Sequence, residues 1–488
     1  MRETHTAIVF FVGDRAYKVK KPVDLGFLDY STAAARRGAC EREMALNRRF
    51  SPDVYLGLGE IRSPDMKAPE PLVVMRRMPA DRRLSLLVRE GTAIDDDLRA
   101  VARQLATCHA GAPRNREVDE QGTREALSSR WQDSFAQVRA LTDDGLVPDG
   151  VEEIERLVRR YLAGRKQLFD IRIEEGRIVD GHGDLLAEDV FCLDDGPRIL
   201  DCLEFDDHLR YVDGLDDAAF LAMDLEQLGA PEAAAFFLAQ YSEYSGDPAP
   251  PSLWHHYIAY RAFVRAKVSL IQARQGAAGA EAASRRLVTT ALRHLRASAV
   301  GVTLVGGVPG SGKSTLSGAL ADRLGVTLLS SDRLRKELAG IPAEQSAAAG
   351  YGEGLYTAEW TARTYESLLD RASTLLSCGE SVVLDATWSD VGQREAAVRM
   401  AERTSANLVA LHCQVPGEVS AARLTTRAPG ISDADLDVAI AMAAKEPPWT
   451  EAVTIDTSGA LESAVVQALA VVRPRGPDQT PVFRRPCM

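Results

Sequence analysis

The chain has 488 residues, 45% hydrophobic and 26% charged, which is too long for one core, so two or three domains are expected. A net charge of −12 argues against a general nucleic-acid-binding surface. Seven cysteines without C-x-x-C spacing, and no apolar run near the ~20 residues of a membrane span, argue against a disulfide framework, a zinc site or a transmembrane segment and suit a cytoplasmic protein.

In chain order, apolar runs 7–12 and 16–19 flank Gly13-Asp14, a hairpin signal. A helical pattern covers 32–50, and a further strand covers 72–78. From 94 to 244 the pattern is mainly helical, interrupted by a β-like patch over 171–204. Another helix spans 253–275, then an Ala/Gly-rich loop at 275–284 and a helix ending near 298. Beyond 300 the rhythm changes to strands at 302–306, 326–330, 381–386, 407–413 and 452–456 separated by helices, which argues for a parallel sheet. The expected units are residues 1–296, 297–473 and a Pro/Arg-rich tail, 474–488.

In the first unit, Gly181-His182-Gly183-Asp184-Leu185 follows the apolar pair Ile178-Val179, and Asp201 follows the apolar Ile199-Leu200. Two carboxylates at this spacing, each beside a short apolar strand, suit phosphoryl transfer. Asp184 can orient and deprotonate a hydroxyl, and Asp201 can hold Mg²⁺ on phosphates. The acids crowding the stretch from Asp184 to Glu226, among them Glu188, Asp194, Asp206, Asp216, Asp217 and Asp224, read either as solvated surface and helix caps or as a rim attracting ammonium groups. Asp213 reads as an N-cap or as a buried cap on the loop of Asp184.

In the second unit, Gly306-Gly307-Val308-Pro309-Gly310-Ser311-Gly312-Lys313-Ser314-Thr315 fits G-x-x-x-x-G-K-[ST] between a strand and a helix. Backbone N–H groups of Gly307, Gly310, Ser311, Gly312 and Thr315 can face the phosphates of ATP, with positive potential from the helix start. Lys313 reaches the β/γ-phosphates and Ser314 ligates Mg²⁺. Val382-Val383-Leu384 ends in Asp385, a second metal acid or a plain turn cap. Asp332, after the next strand, reads as a general base or a helix N-cap. Arg335 lies one turn on and holds an acceptor oxygen or is solvated.

These C-terminal pieces, with Arg423 and Arg427 at i, i+4 spacing, resemble the P-loop kinase group of gluconate kinases, chloramphenicol phosphotransferases, zeta-type toxins and polynucleotide 5′-kinases. The resemblance covers about 300–473 and implies an α/β P-loop domain with a parallel sheet, with Arg423 and Arg427 in a closing lid.

The H-G-D-L segment and the acid at 201 resemble the aminoglycoside phosphotransferase-like branch of the protein-kinase fold. The wider text (Thr4-His5, Tyr17 to Pro22, Phe27 to Thr32, Asp201 to Asp206) is similar to an uncharacterised bacterial group often fused to a P-loop kinase. That resemblance implies an α+β, two-lobed N-terminal domain. Lys18 would pair with the phosphates and Glu43 would hold it, with Lys20 and Glu41 as alternatives. Residues 73–78 would be the hinge, and Thr4 and His5 a strand start or a phosphate contact. Two features depart from the pattern. Asp189 stands where the superfamily has a metal-binding Asn, and there is no G-x-G-x-x-G loop.

The resulting expectation is a two-module, ATP- and Mg²⁺-dependent phosphotransferase acting on small-molecule hydroxyl acceptors. The alternatives are a P-loop kinase regulated by a nucleotide-sensing pseudokinase module, and a nucleic-acid 5′-end kinase.

Overall fold

The computed structural model describes all residues except 4–5, 25–27, 63–68, 142–148, 343–344, 346–352, 427–438, 441, 443–446 and 474–488. Thr4, His5, Arg427 and the tail lie outside the described residues.

The N-terminal part opens with a five-stranded antiparallel sheet of β1 (Arg2–Glu3), β2 (Ala7–Val12), β3 (Arg15–Lys20), β4 (Tyr55–Ile61) and β5 (Glu70–Arg76), in the order β1-β2-β3-β5-β4. Gly13 has φ +58°, which the tight β2–β3 turn requires. Helix α1 (Ala33–Asn47) packs on this sheet. It starts at Thr32, whose hydroxyl accepts from the Ala35 N–H at 3.1 Å.

A helical layer follows: α2 (Leu84–Arg89), α3 (Asp95–Ala110), α4 (Arg116–Glu120), α5 (Arg124–Arg139), α6 (Val151–Ala163) and α7 (Lys166–Glu174). Next come the short strands β6 (Ile178–Asp180), β7 (Val190–Leu193), β8 (Gly196–Ile199) and β9 (Tyr211–Asp213). Helices α8 (Gly214–Gln227), α9 (Pro231–Ser245), α10 (Pro251–Arg274) and α11 (Ala280–Ala297) complete the layer. β6 pairs with β9 and β7 with β8, both antiparallel. The Leu203 N–H donates to the His182 carbonyl at 3.1 Å and His182 Nε2 lies 2.9 Å from the Leu200 carbonyl, so the loops carrying residues 181–184 and 200–204 lie side by side.

The C-terminal part alternates β10 (Gly301–Gly306), α12 (Lys313–Leu324), β11 (Thr327–Ser330), α13 (Ser331–Leu338), α14 (Ala358–Ser377), β12 (Val382–Asp385), α15 (Val391–Arg403), β13 (Asn407–Gln414), α16 (Gly417–Thr426), β14 (Val453–Asp456) and α17 (Leu461–Val472). All five strands are parallel, in the order β11-β12-β10-β13-β14. The central strands β10 and β12 are apolar and buried along almost their whole length, as a doubly covered sheet demands.

Two expectations are corrected. The β-like patch does not begin at 171, because α7 runs to Glu174. Leu168, Phe169 and Arg172 are buried on one helical face, and the alternating Ile171 and Ile173 imitated a strand. The loop at 275–284 ends at 279, where α11 begins. β4 went unread because two glycines and a register shift between Tyr55 and Gly57 break its pattern, although pairing with β5 holds it in the sheet.

One apolar core runs through both parts. It continues from Phe50 and Leu98 through Leu253 and Phe263 to Val302, Leu368, Leu376, Trp388 and Met400, while the opposite face of the parallel sheet has its own core around Leu316, Leu411 and Ala464. The seam is also polar. Buried Arg165 donates to the Thr404 carbonyl at 2.8 Å, Arg160 donates to that of Ala406 at 3.0 Å, and the Ser252 hydroxyl donates to that of Gly379 at 2.7 Å. The two arginines therefore satisfy carbonyls of the turn that links α15 to β13.

Candidate functional site

In the parallel sheet, register fixes the chemistry. Val305 lies opposite Asp385, and Asp385 lies opposite Ser330, so the strand ends bring the glycine loop, Asp385 and the start of α13 to one edge. Gly307, Gly310 and Gly312 have φ of +136°, +81° and +87°. A side chain at Gly307 would also meet the Cys413 carbonyl at 2.8 Å. The loop is tied down from outside: Thr457 Oγ1 donates to the Ser311 carbonyl at 2.5 Å and Ser420 Oγ to that of Pro309 at 2.9 Å. Lys313 opens α12 and is buried, and the N–H groups of that first turn have no intrahelical acceptor.

Asp385 is buried, and its Oδ1 has no hydrogen-bond partner. The hydroxyls of Ser314 and Ser330 lie in hydrogen-bonding range of its carboxylate. Burial pushes its pKa up, and nearby Lys313 opposes that. A buried acid with a spare oxygen beside a hydroxyl fits a magnesium ion, which needs only one or two carboxylates when phosphates and water supply the rest. Asp332 stands close enough to raise the pKa of Asp385 further. Its Oδ1 accepts from Arg335 at 2.8 Å, and Arg335 is buried with its guanidinium 4.7 Å from the Tyr356 ring. Asp332 therefore does not cap α13, and Arg335 is not solvated. Arg423 faces the loop: it donates to the Thr457 carbonyl at 2.7 Å, and its Nη1 is 3.2 Å from where a side chain at Gly312 would start.

The second cluster lies between the antiparallel sheet and the helical layer. Lys18 on β3 contacts Glu43 of α1 at 2.9 Å and pairs with Asp201. Glu43 is fully buried, whereas Glu41 is exposed. Asp201 takes φ +65°, and its N–H donates to the Tyr55 hydroxyl at 3.2 Å. Burial would raise the Asp201 pKa, but the Lys18 ammonium outweighs it and holds it at about 2. Burial likewise opposes the charge on Lys18, and Asp201 and Glu43 outweigh it.

Burial pushes the pKa of Asp184 up, with Arg265, 3.9 Å away, opposing. The side chains of Asp184 and Asp201 keep 40% and 48% of their surface accessible, so they line an open cleft whose walls still dominate their ionisation. The loop of Asp184 is held by an acid, but a different one from Asp213. The Asp217 carboxylate accepts from the N–H groups of His182 and Gly183 at 2.7 and 2.8 Å and lies 3.0 Å from His109 Nε2. Asp213 instead caps α8, accepting from the Leu215 N–H at 2.9 Å, and pairs with Arg172.

Burial, then Asp201 and Asp184, push Asp189 well above the usual carboxylate range. A protonated carboxyl offers one donor and one acceptor, as an asparagine amide does. Such a group favours the folded state at low pH, and the advantage is lost as pH rises from about 4 through its folded pKa. Asp189→Asn is therefore expected to stabilise the protein more at pH 8 than at pH 5, as thermal unfolding at the two pH values would register. An equal effect at both would mean that Asp189 is ionised without penalty. Among the described residues, no group of three or more His, Cys, Asp or Glu side chains is arranged to hold a metal ion by itself. Asp201 with Asp189 fits a magnesium ion only together with phosphates.

Three mycobacterial proteins match almost the whole chain: uncharacterized protein Mb2027c of Mycobacterium bovis, and MT2060 and Rv2004c of Mycobacterium tuberculosis. Each is 43% identical over 473 residues, covering 97% of this chain and 95% of its own length. The chain belongs to their family. Within it, residues 302–447 match the family model described as an AAA domain, which agrees with the glycine loop and parallel sheet. Solved structures similar to the chain include a sugar kinase from Janibacter sp. (20% identity, 36% of this chain and 94% of that one, TM-score 0.27). They also include a putative kinase from Chloroflexus aurantiacus (21%, 35% and 98%, 0.29) and the Mycobacterium tuberculosis APS kinase CysC in complex with AMPPNP and APS (18%, 36% and 98%, 0.27). These TM-scores are too low to carry an argument. Among the described residues no helix is long and apolar enough to cross a membrane.

Sequence spacing alone missed Ser420, Thr457 and Asp217. Each reaches its target from more than thirty residues away, and no local motif marks it.

Proposed function

We propose that the protein is an ATP-dependent phosphotransferase with two nucleotide sites, one on the glycine loop of the parallel sheet and one in the N-terminal cleft, each serving a small-molecule hydroxyl acceptor. The observation that carries the first site is the buried Asp385 carboxylate, with one oxygen unpartnered and the Ser314 hydroxyl near the group. ATP supplies the phosphoryl group, and Mg²⁺ neutralises its charge. The loop N–H groups and Lys313 hold the β- and γ-phosphates, and Ser314 and Asp385 hold the metal. Asp332 orients the acceptor hydroxyl and takes its proton, and Arg335 keeps that carboxylate in place. Arg423, which faces the glycine loop, neutralises the transferring group.

In the cleft, Lys18 steadied by Glu43 meets the phosphates, Asp201 and Asp189 hold the metal, and Asp184 accepts the hydroxyl proton. The side-by-side loops of Asp184 and Asp201 support this reading, as does the Lys18–Glu43 pair. A sensing role for the cleft is the second reading. It is favoured by the Lys18–Asp201 pair, which occupies the phosphate-binding lysine with the metal-binding acid.

The test is ATP-dependent phosphorylation of a panel of polyols, sugars and their amino and acidic derivatives by the full chain. Asp184→Asn separates the readings. A catalytic cleft loses turnover of its own acceptor by about 10²–10⁴-fold, whereas a sensing cleft leaves nucleotide-dependent control of the C-terminal activity intact. No phosphorylated product with any acceptor, alongside ATP hydrolysis driven by a protein partner, would contradict the proposal.

A further inference from the structure

Lys18 and Lys20 alternate on β3 and so point to the same face, where both reach Glu43. Lys18 lies 2.9 Å from one carboxylate oxygen, and Lys20 lies 2.6 Å from the other. Each lysine also crosses to an acid of the 201–204 segment, Lys18 to Asp201 and Lys20 to Glu204. Each oxygen of the buried Glu43 carboxylate thus faces one lysine ammonium.

The two halves of this ladder differ in access. The side chain of Asp201 is 48% accessible, so the Lys18 half opens on the cleft. The side chain of Lys20 is 2% accessible and that of Glu204 is 11% accessible, so the other half is closed to a ligand. Tyr30 seals the closed half. Its hydroxyl donates to Glu204 at 2.7 Å, its ring centre lies 5.5 Å from the Lys20 ammonium, and its carbonyl accepts from Arg36 at 2.7 Å.

We propose that Lys20, Glu204 and Tyr30 are positioning residues of the N-terminal cleft: Lys20 stays paired with Glu43 and Glu204, so that Lys18 is free to leave Asp201 for a nucleotide phosphate. The proposal rests on the nucleotide reading of the cleft. Two ammonium groups face three carboxylates here, Glu43, Asp201 and Glu204. Without Lys20, all three acids compete for Lys18, and a phosphate must displace them. Removing Glu204 as well returns Lys18 to its original two competitors.

The experiment uses the full chain carrying Lys313→Ala, with binding of Mg·AMPPNP measured by calorimetry and folding followed by thermal unfolding. Lys20→Met is expected to weaken binding by about tenfold or more. Lys20→Met/Glu204→Gln is expected to regain most of that loss, and Lys20→Arg to stay within about threefold of the parent. Neutralising Glu204 also relieves a buried charge left unpaired by Lys20→Met, so the rescue is read as positioning only where the unfolding temperatures of parent, single and double variants agree. Binding by Lys20→Met within about twofold of the parent overturns the proposal. So does a double variant that binds no better than Lys20→Met while both unfold at the parental temperature. If Lys20→Met does not fold, the double variant and Lys20→Arg decide: tenfold weakening in either while folded overturns it. If the Lys313→Ala parent binds no AMPPNP, the nucleotide reading of the cleft has failed and this proposal falls with it, a result distinct from weak binding by Lys20→Met alone.

Discussion

Replacing Asp332 by asparagine is expected to cut phosphoryl transfer at the C-terminal site by about 10²–10⁴-fold, the usual contribution of a positioned general base. Nucleotide affinity should stay within about threefold, because Asp332 is tied to Arg335 and belongs neither to the glycine loop nor to the Ser314–Asp385 pair. The amide keeps the shape and one acceptor for Arg335, so the variant isolates proton acceptance from folding. Single-turnover transfer and equilibrium binding, measured on the same preparation, read the two effects separately. Full turnover would reduce Asp332 to an ion-pair partner of Arg335. Loss of nucleotide binding would mean that the acid supports the loop instead of the acceptor.

The second large effect lies at the seam between the two parts. Gly164 has an ordinary φ of −95°, so conformational freedom is not what it supplies. What it supplies is space: a Cβ there would stand 2.1 Å from the Thr404 carbonyl oxygen and 3.1 Å from the Ser405 side chain. Neither neighbour yields easily, because Thr404 is the acceptor of Arg165 and Ser405 already holds φ +50°. Gly164→Ala is expected to cost about 3 kcal/mol, at the upper end of overpacking penalties and a large share of a typical folding free energy. Because one apolar core spans the seam, the cost should appear as a lowered urea midpoint for the whole chain. An unchanged midpoint, or loss of the N-terminal part alone with the parallel sheet intact, would show that the two parts do not unfold as one body.

Local, contiguous signals were legible in the sequence. The glycine loop needs adjacent residues only, and β12 ending at Asp385 announces itself as a continuous apolar run cut off by an acid. The pairing of Lys18 with Glu43 was reachable only through the resemblance, since 25 residues separate the two side chains and Glu41 competes on the same helix. The misread start of the β patch came from β-branched residues whose helical face is set by burial of Leu168, Phe169 and Arg172. Asp217 shows the limit of such reading. Many acids crowd this region of the sequence, and only the fold selects the one that receives the His182 and Gly183 N–H groups. The inter-part seam was not legible either, because Gly164 and Arg165 look like an ordinary helix end until α15 is packed against them.

The number of nucleotide sites on the chain is the property that decides whether both parts bind ATP. Calorimetric titration of a Mg·ATP analogue into the full chain is predicted to show two sites, falling to one in Lys313→Ala. One site falling to none would contradict it, leaving the N-terminal cleft without nucleotide. Two sites persisting in Lys313→Ala would contradict it differently, by removing Lys313 from phosphate binding.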